Sequence, residues 1–301
     1  MFKHLCAYRL TAPWTMTAEH LAESLSRQAF QPCLQYEMES SGWTAPIEGG
    51  PLVHTVNSQI LIQITTEAKI LPASVINQHT KVRAVELEEQ QGFKPGRKQM
   101  KEIKEQVTDE LLPRALCKRT NLRIWIDPVN GWLVIDTSAA NRADFVFKML
   151  LKSLESLPFS SLRTHESPMQ AMTNWLEFDE APENFTVDRD AELRAVDQSK
   201  GTVKYRNQAL DHGEMLAHIS GGKKCVQLAM TYADRISFVL TEGLILKRIH
   251  IHDIARESLH ALENDAERFD ADFMIMADEG NKLLTAVVAA LGGIEQERKA
   301  A

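Results

Sequence analysis

The chain has 301 residues, 44% of them hydrophobic and 25% charged, with 34 Lys and Arg against 41 Asp and Glu for a formal charge of −7. This is the make-up of an ordinary globular protein of about two domains, and the acidic balance argues mildly against nucleic-acid binding as the role of the chain as a whole. No run of about 18 apolar residues offers a membrane-spanning helix, and Arg9 and the polar Thr11–His20 follow too soon for a signal-peptide core, so export is not expected.

Residues 1–10 alternate as a strand, with Leu5, Ala7 and Arg9 on one face and Phe2, Cys6 and Tyr8 on the other. Thr17 caps a helix carrying Leu21, Leu25 and Ala29 at every fourth position. Leu52–Val56 and Gln59–Thr65 read as strands paired around Asn57-Ser58, with Ile60, Ile62 and Ile64 on one face. Pro72-Ala73-Ser74 starts a helix to about Glu89, Gly92 and Pro95-Gly96 break it, and a second helix runs from Arg97 to Leu112. Strands Leu122–Ile126 and Trp132–Ile135 flank the turn Asp127–Gly131. A helix over Ala139–Leu157 follows, its stripe formed by Ala143, Phe147, Leu150, Leu151 and Leu154.

Between Pro158 and Lys200 the sequence is acidic, proline-punctuated and weakly periodic, so a boundary is placed there. Beyond it come a strand at Thr202–Arg206, a helix near Glu214–Ser220, and strands at Lys224–Met230, Arg235–Leu240 and Leu244–Ile251. A strand at Asp272–Met276 and a helix at Glu279–Leu291 end the pattern at Gly292-Gly293. The division is an N-terminal α+β region 1–160, an acidic connecting segment 161–199 and a C-terminal α+β region 200–301. Hairpins mixed with helices point to an α+β fold with antiparallel or mixed sheets and long helices, not a doubly wound one.

The catalytic motifs fail one by one. Ser220-Gly221-Gly222-Lys223-Lys224 lacks the Walker glycine and hydroxyl, which Ala217 and Lys224 replace, and reads as a basic turn before a strand. His250 and His252 share a strand face beside Asp253 without a third metal ligand at a recognisable spacing. Asp270 and Asp272 would share a strand face and could bind Mg²⁺ for phosphodiester chemistry, against the plainer reading of a salt bridge with Arg268. Cys6, Cys33, Cys117 and Cys225 form no CxxC pair and read as free thiols in a reducing cytosol. No enzyme activity and no cofactor is expected.

Charge distribution is more informative than net charge. Lys81–Arg123 holds eleven bases and seven acids, whereas Asp253 to the end holds eleven acids and five bases. At 100° per residue Lys94, Arg97, Lys101 and Lys104 fall within a stripe of about 80°, with Lys98 counted alongside, next to an apolar stripe of Met100, Ile103, Val107 and Leu111. A row of cations about 5 Å apart can track phosphates; the alternative is a solvated face laced by pairs such as Lys101–Glu105. Arg114, Lys118, Arg119 and Arg123 make a second cluster, and Lys200, Lys204, Arg206, Lys223 and Lys224 a third. No aromatic interleaving, zinc finger or basic zipper accompanies them, so backbone recognition of a duplex without base readout fits best.

Several stretches, in order, resemble the RdgC family: Lys69-Ile70-Leu71-Pro72, Leu111-Leu112-Pro113-Arg114-Ala115, Trp125-Ile126-Asp127 with Val129-Asn130-Gly131, Lys152-Ser153-Leu154 with Ser156-Leu157-Pro158, and Arg268-Phe269-Asp270-Ala271-Asp272-Phe273. The resemblance implies a cytoplasmic, nucleoid-associated protein that binds double-stranded DNA with little sequence preference and restrains the RecA recombinase. It also implies a horseshoe-shaped subunit, two of which close as a homodimer into a ring with a basic inner surface. Leu116 and Arg119 stand where family members carry aromatic residues near the DNA path. Asn207-Gln208, with Arg206 adjacent, stands where the family tip carries a Lys-Gln pair, so Gln208 joins the candidate contacts. The alternatives kept open are a metal-dependent nuclease using Asp270, Asp272, His250 and His252, and a factor contacting the recombinase directly through its acidic C-terminal surface.

Overall fold

The computed structural model describes residues 2–197, 201–252 and 264–295. Lys200 and Asp253, counted above among the candidate bases and metal ligands, lie outside them. The strands are β1 (His4–Leu10), β2 (Glu39–Thr44), β3 (Val53–Val56), β4 (Gln59–Lys69), β5 (Cys117–Asp127), β6 (Trp132–Ile135), β7 (Phe159–Ser161), β8 (Phe185–Ala195), β9 (Thr202–Tyr205), β10 (Lys223–Tyr232), β11 (Ile236–Thr241) and β12 (Ile245–Ile251). The helices are α1 (Ala18–Ser26), α2 (Ala73–Gln91), α3 (Arg97–Leu111), α4 (Ala140–Ser153), α5 (Pro168–Phe178), α6 (His212–Ser220) and α7 (Asp265–Ala290). The expected α+β class with antiparallel strands is what the chain adopts.

All the strands join one sheet, ordered β2-β4-β5-β6-β1-β12-β11-β10-β8-β9, with β3 beside β4 and β7 beside β1. The pairings between named strands are antiparallel. The Asn57-Ser58 turn forms as read, both residues at positive φ (47° and 67°), which matches the twist of a two-residue hairpin.

Strand alternation sorts the core. Ile60, Ile62, Ile64, Ile124, Ile126, Leu133 and Ile135 pack on one face under α1 and α4. Leu61, Trp125, Trp132 and Val134, one residue out of step, pack on the other with α5 and α7. In the β8–β12 half this second face carries the main core, and Asp190, Glu192 and Arg194 alternate away from the buried Ala191 and Leu193.

Several sequence expectations change. Helix α1 ends at Ser26, so Ala29 leaves its stripe and bridges Trp43, and Phe2 packs with Leu5 and Ala7 rather than with Cys6 and Tyr8. Asp272–Met276 is not a strand but part of the 26-residue α7, about 39 Å long. Asn264 caps that helix by accepting from Ala266 N, and Phe269, Phe273, Met276, Leu283, Leu284 and Val287 keep a helical period along it. Gly280 sits in that stripe because a Cβ there would lie 3.3 Å from Trp125. The α4 stripe is rotated: Val146 and Met149 are buried, whereas Leu151 is 61% exposed. Leu151 lies about 80° round the helix from Ala143, on the side opposite Val146 and Met149. The 161–199 stretch, read as a connecting segment, supplies α5 and β8, with Ser167 capping α5 and Pro168 opening it.

Candidate nucleic-acid interface

Helices α2 and α3 form a hairpin with a small core of its own, Ile76, Ile103 and Val107 backed by Leu87, Met100 and Leu111. The reversal is built by Gly92 in the left-handed region (φ 80°), Pro95, and Gln99, whose Oε1 accepts from Gly96 N at 3.0 Å. Arg83 ties the pair together by donating to Glu110 at 3.2 Å. With the apolar stripe consumed in this contact, Lys94, Arg97, Lys98, Lys101 and Lys104 are all exposed. Only Lys101 of these has an ion pair among the described residues, a 3.6 Å contact with Glu105 that leaves its side chain 80% exposed. Surface pairs of this kind hold their charges weakly.

Arg114 ends the 3-10 turn after α3, exposed, and Lys118 follows it, exposed, at the start of β5. Arg119, also exposed, is engaged within the fold: its Nε donates to the buried Glu67, and its guanidinium lies 5.3 Å from the Phe30 ring. The Arg119 hydrogen bond, with a second from Cys33 N, holds the Glu67 carboxyl below the usual carboxylate range. Arg123 points elsewhere. It is half-buried over the Phe269 ring at 5.6 Å and lines a cleft against α7.

The third cluster lies at the far end of the sheet. Lys204 is outward on β9 as expected, with Tyr205 buried, and pairs with Glu192 at 3.1 Å. Arg206 and Gln208 are exposed, and Lys223 and Lys224 are half-buried at the start of β10. The Gly221-Gly222 pair is the turn into β10 that the sequence suggested. Strands β5 and β9 stand seven places apart in the sheet, on the order of 34 Å at ~4.8 Å per strand. The structure thus leaves Arg114 and Lys118 continuing from the α3 row, turns Arg123 away from it, and keeps the third cluster apart.

One cation escaped the sequence reading. Arg248 sits in β12 at φ 53°, a left-handed conformation unfavourable for a side chain, beside a register shift between β11 and β12. Its guanidinium meets Asp190 at 3.1 Å. The Asn207 N hydrogen bond first, and Arg248 after it, hold the Asp190 carboxyl below its ordinary value. No local pattern announces such a residue, because the bulge that turns it is a property of strand pairing.

The groups weighed for metal chemistry do not converge on one centre among the described residues. The His250 and His252 rings are 5.5 Å apart, and His252 Nδ1 lies 3.1 Å from the Asp234 carbonyl. Asp270 and Asp272, two apart on a helix, point about 200° from each other; Asp270 meets His54 Nε2 at 2.8 Å, while Asp272 lines the Arg123 cleft. Among the described residues no three His, Cys, Asp or Glu converge as a metal-binding group, and no helix is long and apolar enough to cross a membrane.

Residues 1–294 match the family model described as "Putative exonuclease, RdgC". The chain is 53% identical over 299 residues, 99% of both chains, to the recombination-associated protein RdgC of Janthinobacterium sp. (strain Marseille). Over the same span it is 52% identical to that of Herminiimonas arsenicoxydans. To that of Cupriavidus necator it is 50% identical over 300 residues, again 99% of each.

Proposed function

The chain belongs to the RdgC family of recombination-associated proteins, and on that footing we propose that it binds duplex DNA through its phosphate backbone, without base readout, as a homodimer closed around the duplex. The observation that carries this reading is the α2–α3 hairpin. It spends its apolar stripe on itself and presents Arg97, Lys98, Lys101 and Lys104 to solvent, continuing into Arg114 and Lys118. A net acidic protein with such a row can concentrate positive potential on one surface. Lys204, Arg206, Gln208, Lys223 and Lys224, at the opposite end of the sheet, form a second contact region about ten base pairs away at ~3.4 Å each.

In this proposal two horseshoe-shaped subunits meet by isologous contacts at both ends, as identical chains in a closed dimer favour. The ring acts in the cytoplasm, on nucleoid DNA, and restrains the RecA recombinase by occupying the duplex. Retention on DNA tests it. A closed dimer leaves circular DNA only by opening an interface, whereas on linear DNA it also slides off an end. Complexes on covalently closed plasmid are expected to outlast those on linearised plasmid under competitor challenge, and cutting the plasmid after binding restores fast loss. Equal lifetimes, or a monomeric mass at working concentration, overturn encirclement.

The description of the matching family model favours a second reading, an exonuclease. It would draw on Asp270, Asp272, His250 and His252; Asp270 and Asp272 point apart and among the described residues no three such ligands converge, which weighs against it. Incubating the protein with plasmid and with linear duplex in Mg²⁺ or Mn²⁺ separates the two: loss of nucleotides from linear ends establishes the enzyme, and intact DNA at full binding favours the ring.

A further inference from the structure

The cleft between β5 and the first turns of α7 does no work in the duplex reading, and its chemistry is specific. Phe2, Leu61, Phe269 and Phe273 supply apolar walls around a volume of about 220 Å³. Two half-buried charges of opposite sign, Arg123 and Asp272, open onto it. Neither has an ion-pair partner among the described residues, and they do not reach each other. An unpaired cation and an unpaired anion facing one small apolar space are costly unless something polar completes them.

The walls are fixed in advance. His54 meets Asp270 at 2.8 Å on the far side of α7, and its ring stands edge-on to Phe269 at 5.4 Å and 6.3 Å from Phe273. The Arg123 guanidinium is held over the Phe269 ring, which orients its donors without consuming them.

From this geometry we propose that the cleft takes a single unstacked nucleobase, held by an edge that sets an acceptor beside an N–H donor. The inference rests on the DNA reading above for the source of the base. The volume is below the ~300 Å³ floor of drug-sized pockets and holds about seven waters' worth of space, enough for one ring system but not a whole nucleotide. The lactam edge of guanine or thymine offers a carbonyl to the Arg123 donors and, next to it, an N–H to the Asp272 carboxylate, so a neutral ring satisfies both charges at once. A lone carboxylate ligand would suit Arg123 and oppose Asp272. Adenine, with N1 beside its amino group, and cytosine, with N3 beside its amino group, offer the same acceptor–donor pair, so the cleft takes any of the four bases, in keeping with DNA binding that does not read sequence.

Saturation-transfer NMR on the full chain with guanosine, thymidine, adenosine and cytidine as probes tests the assignment. All four are expected to bind, whereas N1-methylguanosine and N3-methylthymidine, which lack the N–H, are expected to bind at least fivefold more weakly than their parent nucleosides. Asp272→Asn is expected to reduce that preference at an unchanged melting temperature, as is Arg123→Lys, which keeps the charge but loses the planar fork. Asp272→Asn is also expected to leave duplex retention on closed plasmid intact. No transfer to any nucleoside, equal transfer to the N-methylated and parent nucleosides, or an undiminished preference for the N–H in Asp272→Asn overturns the proposal. If the preference for an N–H edge stands while duplex binding is insensitive to salt, the DNA reading falls and the ligand class of the cleft stands.

Discussion

Neutralising the α3 row separates a phosphate-tracking surface from a merely solvated one. The triple variant Arg97→Gln, Lys101→Gln, Lys104→Gln removes three charges from a face that packs against nothing, since the apolar contacts of the helix are made by Ile103, Val107, Met100 and Leu111. Lys101–Glu105 is the one ion pair of these three among the described residues, and both partners are exposed, so stability should move by no more than about 0.5 kcal/mol per site. Each neutralised phosphate contributes about 0.9 to the slope of log K against log salt, so the variant's slope should be shallower by about 2.7. Between 50 and 200 mM salt the affinity gap between wild type and variant should therefore close by about 40-fold. Fluorescence anisotropy on a labelled duplex, titrated at four or more salt concentrations, measures this directly. Parallel slopes for the two proteins would refute the phosphate contacts; a lost melting transition would refute the assignment of the row as exposed.

Gly42→Ala is expected to lower stability by ~1–3 kcal/mol or more, seen in denaturant titration, because the new Cβ would lie 2.4 Å from the Phe30 backbone where residues 28–30 cross β2. Asp190 has a depressed folded pKa, so its contribution is present above its ordinary value of 3.8 and is lost as pH falls through the folded one. Asp190→Asn should lower the melting temperature at neutral pH and converge on wild type in acid; an equal deficit at every pH would contradict the Asn207 and Arg248 contacts as its source. Burial pushes the Cys225 thiol up to about 12, whereas Cys117 is exposed. A thiol reagent at pH 8 should accordingly label Cys117 in the native protein and Cys225 only after unfolding, and early labelling of Cys225 would contradict its place in the core.

What the sequence determined by itself was local. The Asn57-Ser58 hairpin, the Thr17 cap, the Gly92 and Pro95-Gly96 break and the two stripes of α3 each depend on a few neighbouring residues, and all appear in the structure. The amphipathic character of α3 was enough to place its cations in solvent, since a helix with one apolar stripe has one way to bury it. β8 was legible but masked: Phe185, Val187, Ala191 and Leu193 alternate as a strand should, while the intervening Asp188, Asp190 and Glu192 gave the stretch the look of an acidic linker.

Tertiary structure decided the rest, because it depends on which strands pair. The order of the sheet put β9 about seven strands from β5 and so divided the basic residues into two regions. The same pairing brought Arg119 over Glu67 and gave Arg248 its bulge. Docking of α7 across the sheet made the Asp272–Met276 run, which the sequence suggested as a strand, part of a helix, sent Asp270 to His54 and Asp272 to Arg123's cleft, and separated the carboxylate pair. Period and composition fix what one element can bury; which distant side chains then share a space is set by strand register and helix docking, and these have no local signature.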